Sequence, residues 1–373
     1  MASVGISTSQ TCGVRDYAAL QAEELSRQTI PCSVHWLLRT DGSIAAARAE
    51  IGVWTRGLLA ELERERPDAL LLHYSVFSYS YRGLPLFVHP TLRALRSSGV
   101  PLVTVLHEYA YPWRRDGARG SAWAITQRAL LLDVMRASSA VVVTAPARAE
   151  WLTSRSWLPR RATVVAPVFS NLPAPMAGSR SVQGARVIGL FGYSYPEAAV
   201  ALVLDAMRLL QDRGLAVQLT LLGAPGRSSA TGETWLELAR IRGLVSVPSF
   251  TGKLAAQDLS NALAACDVLL FADPSGPTGR KTTLAASLAS GSPVVALHGR
   301  RSWSELVESG AAMVVEQAPS ALADALGALL GDERLRASLA ARGGEFAQRR
   351  MSLARSAEVV GQLLEDVLSS SAS

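Results

Sequence analysis

The chain has 373 residues, 49% of them apolar, and a formal net charge of +6. That length suits two domains with ample core. No uncharged apolar run reaches bilayer length, and the opening MASVGISTSQTCGVRD lacks the basic start and apolar core of a secretory leader, so a cytoplasmic enzyme is expected.

Val4–Ser7 reads as a first strand, and the loop Thr8–Asp16 leads into a helix over Tyr17–Arg27. Gly13 stands where a backbone turns or approaches a ligand closely. Gly13 and Asp16 are therefore candidate substrate-binding residues, with an ordinary strand-to-helix turn as the alternative. Cys12, Cys32 and Cys266 are scattered and odd in number, which points to neither a disulfide framework nor a zinc cluster. Ser33–Leu38 is a second strand, and a helix follows near Ala45–Arg66 with a core stripe of Ile51, Trp54, Leu58 and Leu62.

Ala69–His73 is a strand followed by HYSVFSYSYRGLP. Tyr74 and the tyrosines after it suit a sugar or aromatic acceptor, or simply pack on the loop. Leu102–Leu106 is a parallel-type strand ending in His107 and Glu108. Ligands of open α/β sheets bind beyond the carboxyl ends of strands, so both are functional candidates, with a surface histidine as the alternative. After the loop Tyr111–Arg119 come a helix over Ala122–Arg136 and a strand at Ala140–Thr144. Ala149–Arg161 mixes Trp151 and Trp157 with Arg155, Arg160 and Arg161. It reads as an amphipathic cover helix or as a contact with an anionic membrane surface. Thr163–Ala166 closes this half.

Residues 1–175 hold 19 basic and 13 acidic side chains, against 18 of each in residues 176–373, so the positive excess lies in the first half. No basic run of the nucleic-acid kind occurs, and no nucleic-acid partner is expected. A diffuse excess suits an anionic acceptor or a membrane surface.

Phe169–Arg186, with Pro173, Pro175, Gly178 and Gly184, reads as a linker. Val187–Gly192 is a strand that places Gly192 and Tyr193 at its end. Helices over Ala198–Arg213, Trp235–Arg242 and Leu254–Ala265 alternate with strands at Val217–Gly223 and Val245–Phe250. Val268–Ala272 is then a buried strand, followed by a loop containing Ser275, Thr278 and Gly279. Arg280, Lys281, Thr282 and Thr283 open a helix that Gly291 ends. Two cations, two hydroxyls, free backbone N–H groups and the positive end of a helix dipole make an anion site suited to a diphosphate. A helix capped by Thr282 or Thr283 beside solvated cations is the plainer alternative. The two cations oppose the dipole, which a bound anion explains better. Lys281 is one of only two lysines, the other being Lys253. A strand from Val294, a helix over Ser302–Ser309, a strand at Ala312–Glu316 and helices from Ser320 to Leu368 complete the chain.

The alternation predicts an α/β protein with two Rossmann-like, doubly wound parallel sheets facing a cleft. The expected division is 1–170 for acceptor binding, a linker at 171–186, 187–350 for the nucleotide, and 351–373 as a helix packing back toward the first domain.

Four segments of the second half, FGYSYPE, LTLLGAPG, SFTGKLAAQDLSNALAACDVLLFADP and GRKTTLAASLASGSPVVA, occur in the order seen in nucleotide-sugar domains. In this the chain resembles GT-B-fold retaining glycosyltransferases of family four. CGVRDYAAL and VTVLHEYAYP carry a weaker resemblance in the first half. Thr278 and Ala286 stand where that family typically has paired glutamates, and Tyr193 and Ala198 where it usually has an Arg and a Lys. The chain thus resembles a divergent branch.

The resemblance implies transfer of a sugar from a nucleotide-diphosphate sugar to a glycan, lipid or small-metabolite acceptor, with retention. His107 would lie beside the donor sugar. Arg280 and Lys281 would serve as diphosphate cations, joined in substrate binding by Gly192, Ser275, Gly279, Thr282 and Thr283. No Asp-x-Asp pair occurs, so no metal or other cofactor is expected. Thr278 in place of a glutamate implies a deoxy or otherwise modified donor, unless Ser275 or Glu108 takes over the sugar contact. An epimerase or non-glycosidic coupling enzyme on the same fold, and a non-catalytic nucleotide-sugar binder, remain alternatives.

Overall fold

The computed structural model describes residues 1–9, 12–40, 43–84, 86–113, 117–176 and 185–371. They form two compact units, one of Met1–Pro167 with Leu353–Ser373 and one of Val168–Ser352. Gly178 and Gly184, read above as linker residues, lie outside the described residues.

The first unit runs β1 (Ala2–Ser7), α1 (Gly13–Arg27), β2 (Ser33–Leu38), α2 (Ile44–Glu65), β3 (Leu70–Ser75), α3 (Val88–Ser97), β4 (Leu102–Glu108), α4 (Gly117–Ala137), β5 (Ala140–Val143), α5 (Pro146–Thr153) and β6 (Ala162–Val165). Its six strands are parallel, in the order β2-β1-β3-β4-β5-β6. Every residue of β1, β3 and β5 is buried, as expected for strands covered on both faces by crossover helices. The helix α2 starts where the Ser43 side chain accepts from the Ala46 amide and stops at Arg66, in the left-handed region.

The second unit continues with β7 (Arg186–Phe191), α6 (Glu197–Asp212), β8 (Val217–Leu222), α7 (Ala230–Ile241), β9 (Ser249–Gly252), α8 (Ala256–Ala264), β10 (Val268–Phe271), α9 (Thr282–Ala289), β11 (Val294–Leu297), α10 (Ser304–Glu308), β12 (Met313–Val315), α11 (Pro319–Gly331) and α12 (Glu333–Arg350). These strands are also parallel, in the order β12-β11-β10-β7-β8-β9. Strand order reverses between β7 and β10, and in the first unit between β1 and β3. Loops leaving the carboxyl ends at such a reversal diverge to opposite faces and open a crevice. The last helix, α13 (Leu353–Ser371), belongs to the first unit. Its Ser356 hydroxyl meets Tyr17 Oη at 3.1 Å and accepts from Gln21 Nε2 at 3.0 Å, all buried on α1.

Several elements differ from the sequence expectation. The helix α1 starts at Gly13 rather than Tyr17, and α3 occupies a stretch that the periodicity left unassigned. The strand β3 runs on to Ser75, which makes Tyr74 a strand residue. The expected cover helix to Arg161 ends at Thr153, and Arg155 and Trp157 lie in turns ahead of Pro159.

Candidate functional site

In the second unit the anion loop leaves β10 at the strand reversal. The N-cap of α9 is Lys281, with extended backbone and no capping side chain, which replaces the expected Thr282 or Thr283 cap. Thr282 and Thr283 are therefore the first two helical residues. The amides of the first helical positions have no acceptor within a helix, an arrangement that suits an anion. Gly192, at the end of β7, has φ +76°, and a Cβ there would lie 2.7 Å from Thr283 Cγ2. Only glycine allows the β7 end to lie this close to the α9 N-terminus.

The loop itself is firmly tied. Asp273 Oδ1 accepts from the Ser275 amide at 2.9 Å and the Ser275 hydroxyl at 2.6 Å, and Lys281 Nζ lies 3.0 Å from Asp273 Oδ2. Burial opposes the charge of Asp273, but these hydrogen bonds and the Lys281 ammonium together hold its pKa below the usual carboxylate value. Lys281 is half exposed, so its charge is available to a ligand as well as to Asp273. The Ser275 and Pro277 carbonyls accept from the Arg301 and Trp303 amides, and Gly279 O accepts from Val168 N at 2.9 Å. Gly276, at φ +93°, packs so closely on Gly299 that neither position has room for a Cβ. Arg280 is partly buried beside Lys281.

Two sequence candidates prove to be internal. Tyr193 is fully buried, donates to Gly223 O at 3.1 Å and accepts from Gly226 N at 2.6 Å. It pins the β8 loop from inside and does not face a ligand. Thr278 is 6% exposed, which leaves it little surface to offer a sugar. Tyr195, which the sequence reading passed over, stands closer to the anion loop. Its phenol is pushed up by burial and by the Asp273 charge beside it. Arg227 after β8, Lys253 after β9 and His298, Arg300 and Arg301 after β11 are exposed at the same carboxyl edge of the sheet.

In the first unit, His107 sits on an irregularity of β4. Tyr74 pairs with Leu106 but Ser75 pairs with Glu108, so His107 is the extra residue of a bulge, a device that re-aims a side chain. Its Nε2 lies 3.1 Å from Nδ1 of the buried His73, and the rings are 5.4 Å apart at 24°. Burial and the Arg148 guanidinium push the His107 pKa down to about 3, and burial and His107 hold His73 well below the usual value. Arg148 donates to the Leu106 carbonyl at 3.1 Å and to the His107 carbonyl, and pairs with Glu108 at 3.0 Å. Glu108 is thereby an anchor for Arg148. Tyr74 is removed from the candidates, because it is fully buried and stacks on Tyr79 at 5.6 Å. Gly13 has open space where a side chain would begin, and Asp16 is exposed in the first turn of α1.

A separate cavity of about 320 Å³ lies past β1, β2 and β3, lined by Thr8, Arg39, Thr40, Ser80, Tyr81 and Arg82. Arg39 is buried, donates to the Ser78 and Ser80 carbonyls and lies 4.6 Å from the Phe87 ring centre. Arg82 has φ +49°, a strained value for a side-chain-bearing residue, and makes no ion pair among the described residues. Elsewhere on this unit Arg128 lies 4.4 Å from the ring centre of exposed Trp113, Arg155 lies 5.0 Å from that of Trp151, and Trp157 is exposed. Arg161 donates to the Met135 and Arg136 carbonyls. No helix among the described residues is long and apolar enough to cross a membrane.

Residues 185–332 match the model of the family described as Glycosyl transferases group 1. No curated protein matches the sequence. Among solved structures, a glycosyltransferase from Rickettsia africae is similar at 12% identity and TM-score 0.71, covering 98% of both chains. A sucrose-phosphate synthase from Thermosynechococcus elongatus is similar at 15% identity and TM-score 0.68 over 99% of both chains. HepE from Anabaena, in complex with UDP and glucose, is similar at 17% identity and TM-score 0.68, covering 97% of this chain and 99% of that one. The chain therefore has the GT-B fold, and residues 185–332 of its second unit are similar to the Glycosyl transferases group 1 family model.

Proposed function

We propose that this protein transfers a sugar, with retention and without a metal, from a nucleotide-diphosphate sugar to an acceptor. The observation that carries the reading is the uncapped N-terminus of α9 at the strand reversal, with Gly192 packed against Thr283 and Lys281 at its rim. Thr282 and Thr283 amides would hold the diphosphate, and Arg280 and Lys281 would stabilise the charge that builds on it as the sugar leaves. UDP held by the Anabaena relative supports a nucleoside diphosphate as the ligand class. His107 would contact the transferred sugar, and the cavity at Arg39 and Arg82 is the candidate acceptor site. With Thr278 uncharged and buried, the charged sugar contact a glutamate would make at that position is lost, and a deoxy or otherwise modified donor is the preferred class. A cytoplasmic location fits, with peripheral membrane contact through Trp113, Trp157 and Arg155.

Calorimetric titration with UDP, ADP and GDP, followed by product analysis with UDP-glucose, tests the reading. Binding of a nucleoside diphosphate that Lys281→Ala weakens, with release of that nucleotide from its sugar, supports it. Failure of all three nucleotides to bind would defeat it.

A further inference from the structure

We propose that His73 is a positioning residue that sets the tautomer of His107, leaving His107 with a bare Nε2 and a protonated Nδ1 that serves as its hydrogen-bond donor. The bulge at His107 and the paired strands β3 and β4 bring Nδ1 of His73 to 3.1 Å from Nε2 of His107. Tyr17 stands edge-on to both rings, at 5.9 Å from His73 and 5.1 Å from His107. Its hydroxyl is held by Ser356 and Gln21, so the aromatic wall is itself anchored. Trp36 closes the other flank at 6.2 Å from His73.

The choice of tautomer follows from the protons. A neutral imidazole carries one N–H, and the hydrogen bond between the rings uses one proton. If His107 Nε2 supplied it, the proton of His73 would sit on its own Nε2. That atom is buried without a partner among the described residues, and a buried N–H with no acceptor is the rarer and costlier orphan. If His73 Nδ1 supplies the proton, the orphan at His73 is only a lone pair, and the proton of His107 must lie on Nδ1. The hydrogen bond made by one ring nitrogen thus decides the state of the other.

Burial, and after it the neighbouring charge, keeps the pair neutral. Arg148 on α5 lies beside His107 and repels a second proton, while Glu108 on β4 is engaged by Arg148. Among the described residues, Tyr17 on α1 and His73 on β3 also face the ring. His107 is then an uncharged donor across the physiological range, suited to a sugar hydroxyl and unresponsive to modest acidification.

This inference rests on the reading of His107 as sugar-facing, but its test does not depend on turnover. The full chain, labelled with ¹⁵N, is examined by long-range ¹H–¹⁵N correlation of its histidine rings. The expected pattern for His107 is an unprotonated Nε2 and a protonated Nδ1, with no titration between pH 5 and 8. His73→Asn, whose amide can place an N–H near the lost Nδ1, should keep that pattern. His73→Phe should convert His107 to a mixture of tautomers while its titration stays outside the pH 5–8 window, because burial and Arg148 remain. A protonated Nε2 in the unmodified protein would overturn the proposal without any variant having to fold. An unchanged pattern in His73→Phe would overturn it equally. Full transfer by His107→Ala would instead remove the sugar-facing role and leave the tautomer assignment standing.

Discussion

Gly192→Ala is the sharpest probe of the proposed nucleotide site. The new methyl would stand 2.7 Å from Thr283 Cγ2, inside van der Waals contact, on a residue whose φ is +76°. Placing a side chain in the left-handed region costs about 1–2 kcal/mol, and forcing an extra carbon into a packed contact adds about 1–3 kcal/mol. Gly291, just past α9, is the natural control, since its φ is +81° and nothing lies within 4 Å of a Cβ built there. Gly291→Ala should therefore lose only the first contribution, about 1–2 kcal/mol, and Gly192→Ala about 2–5 kcal/mol. For a unit of this size 1 kcal/mol lowers Tm by about 2–4 °C, so the two variants should separate clearly in calorimetry. Because the displaced Thr283 carries one of the free helix amides, UDP affinity should also fall in Gly192→Ala and stay unchanged in Gly291→Ala. Equal destabilisation and equal UDP affinity in the two variants would refute the close packing of β7 on α9 and its link to the anion site.

Lys281→Ala and Arg280→Ala should each weaken nucleoside diphosphate binding by about one to two decades, the value of a charge-assisted hydrogen bond, as read by titration calorimetry. Thr278→Glu would bury a carboxylate at a 6% exposed position and should destabilise the fold by on the order of 3–5 kcal/mol in denaturant unfolding; an unchanged midpoint would show that the site has room and a cation for a glutamate. His107 has a pKa of about 3 in the folded state, so below about pH 6.5 the unfolded chain binds a proton that the folded chain refuses. Stability is then fully present above about pH 6.5 and is lost as pH falls toward 3, at up to about 1.4 kcal/mol per pH unit, and His107→Asn should flatten that slope in urea titrations at stepped pH. Sedimentation with anionic vesicles should exceed that with neutral vesicles and decline as salt rises, whereas equal sedimentation with both would dismiss membrane contact through Trp113, Trp157 and Arg155.

Much of this protein is written locally. The run VLLFA, the glycine-rich loop, the Arg-Lys-Thr-Thr series and the following alanine-rich segment announce a strand, a turn and a helix N-terminus, because each signal spans one element and needs no distant partner. Alternation of such signals along both halves was enough for two parallel α/β sheets. Strand order was not legible, since it depends on hydrogen bonds between segments far apart in the chain, and with it went the reversal between β7 and β10 that locates the crevice. Side-chain direction was not legible at strand ends either. Tyr74 became internal because β3 runs on past His73, and Tyr193 because its hydroxyl satisfies the backbone of the β8 loop. The pairing of His73 with His107, 34 residues apart, needed both the register of β3 on β4 and the bulge that displaces it. Local sequence specifies what each segment becomes; which side chains meet is decided by packing, because burial rewards contacts regardless of their separation along the chain.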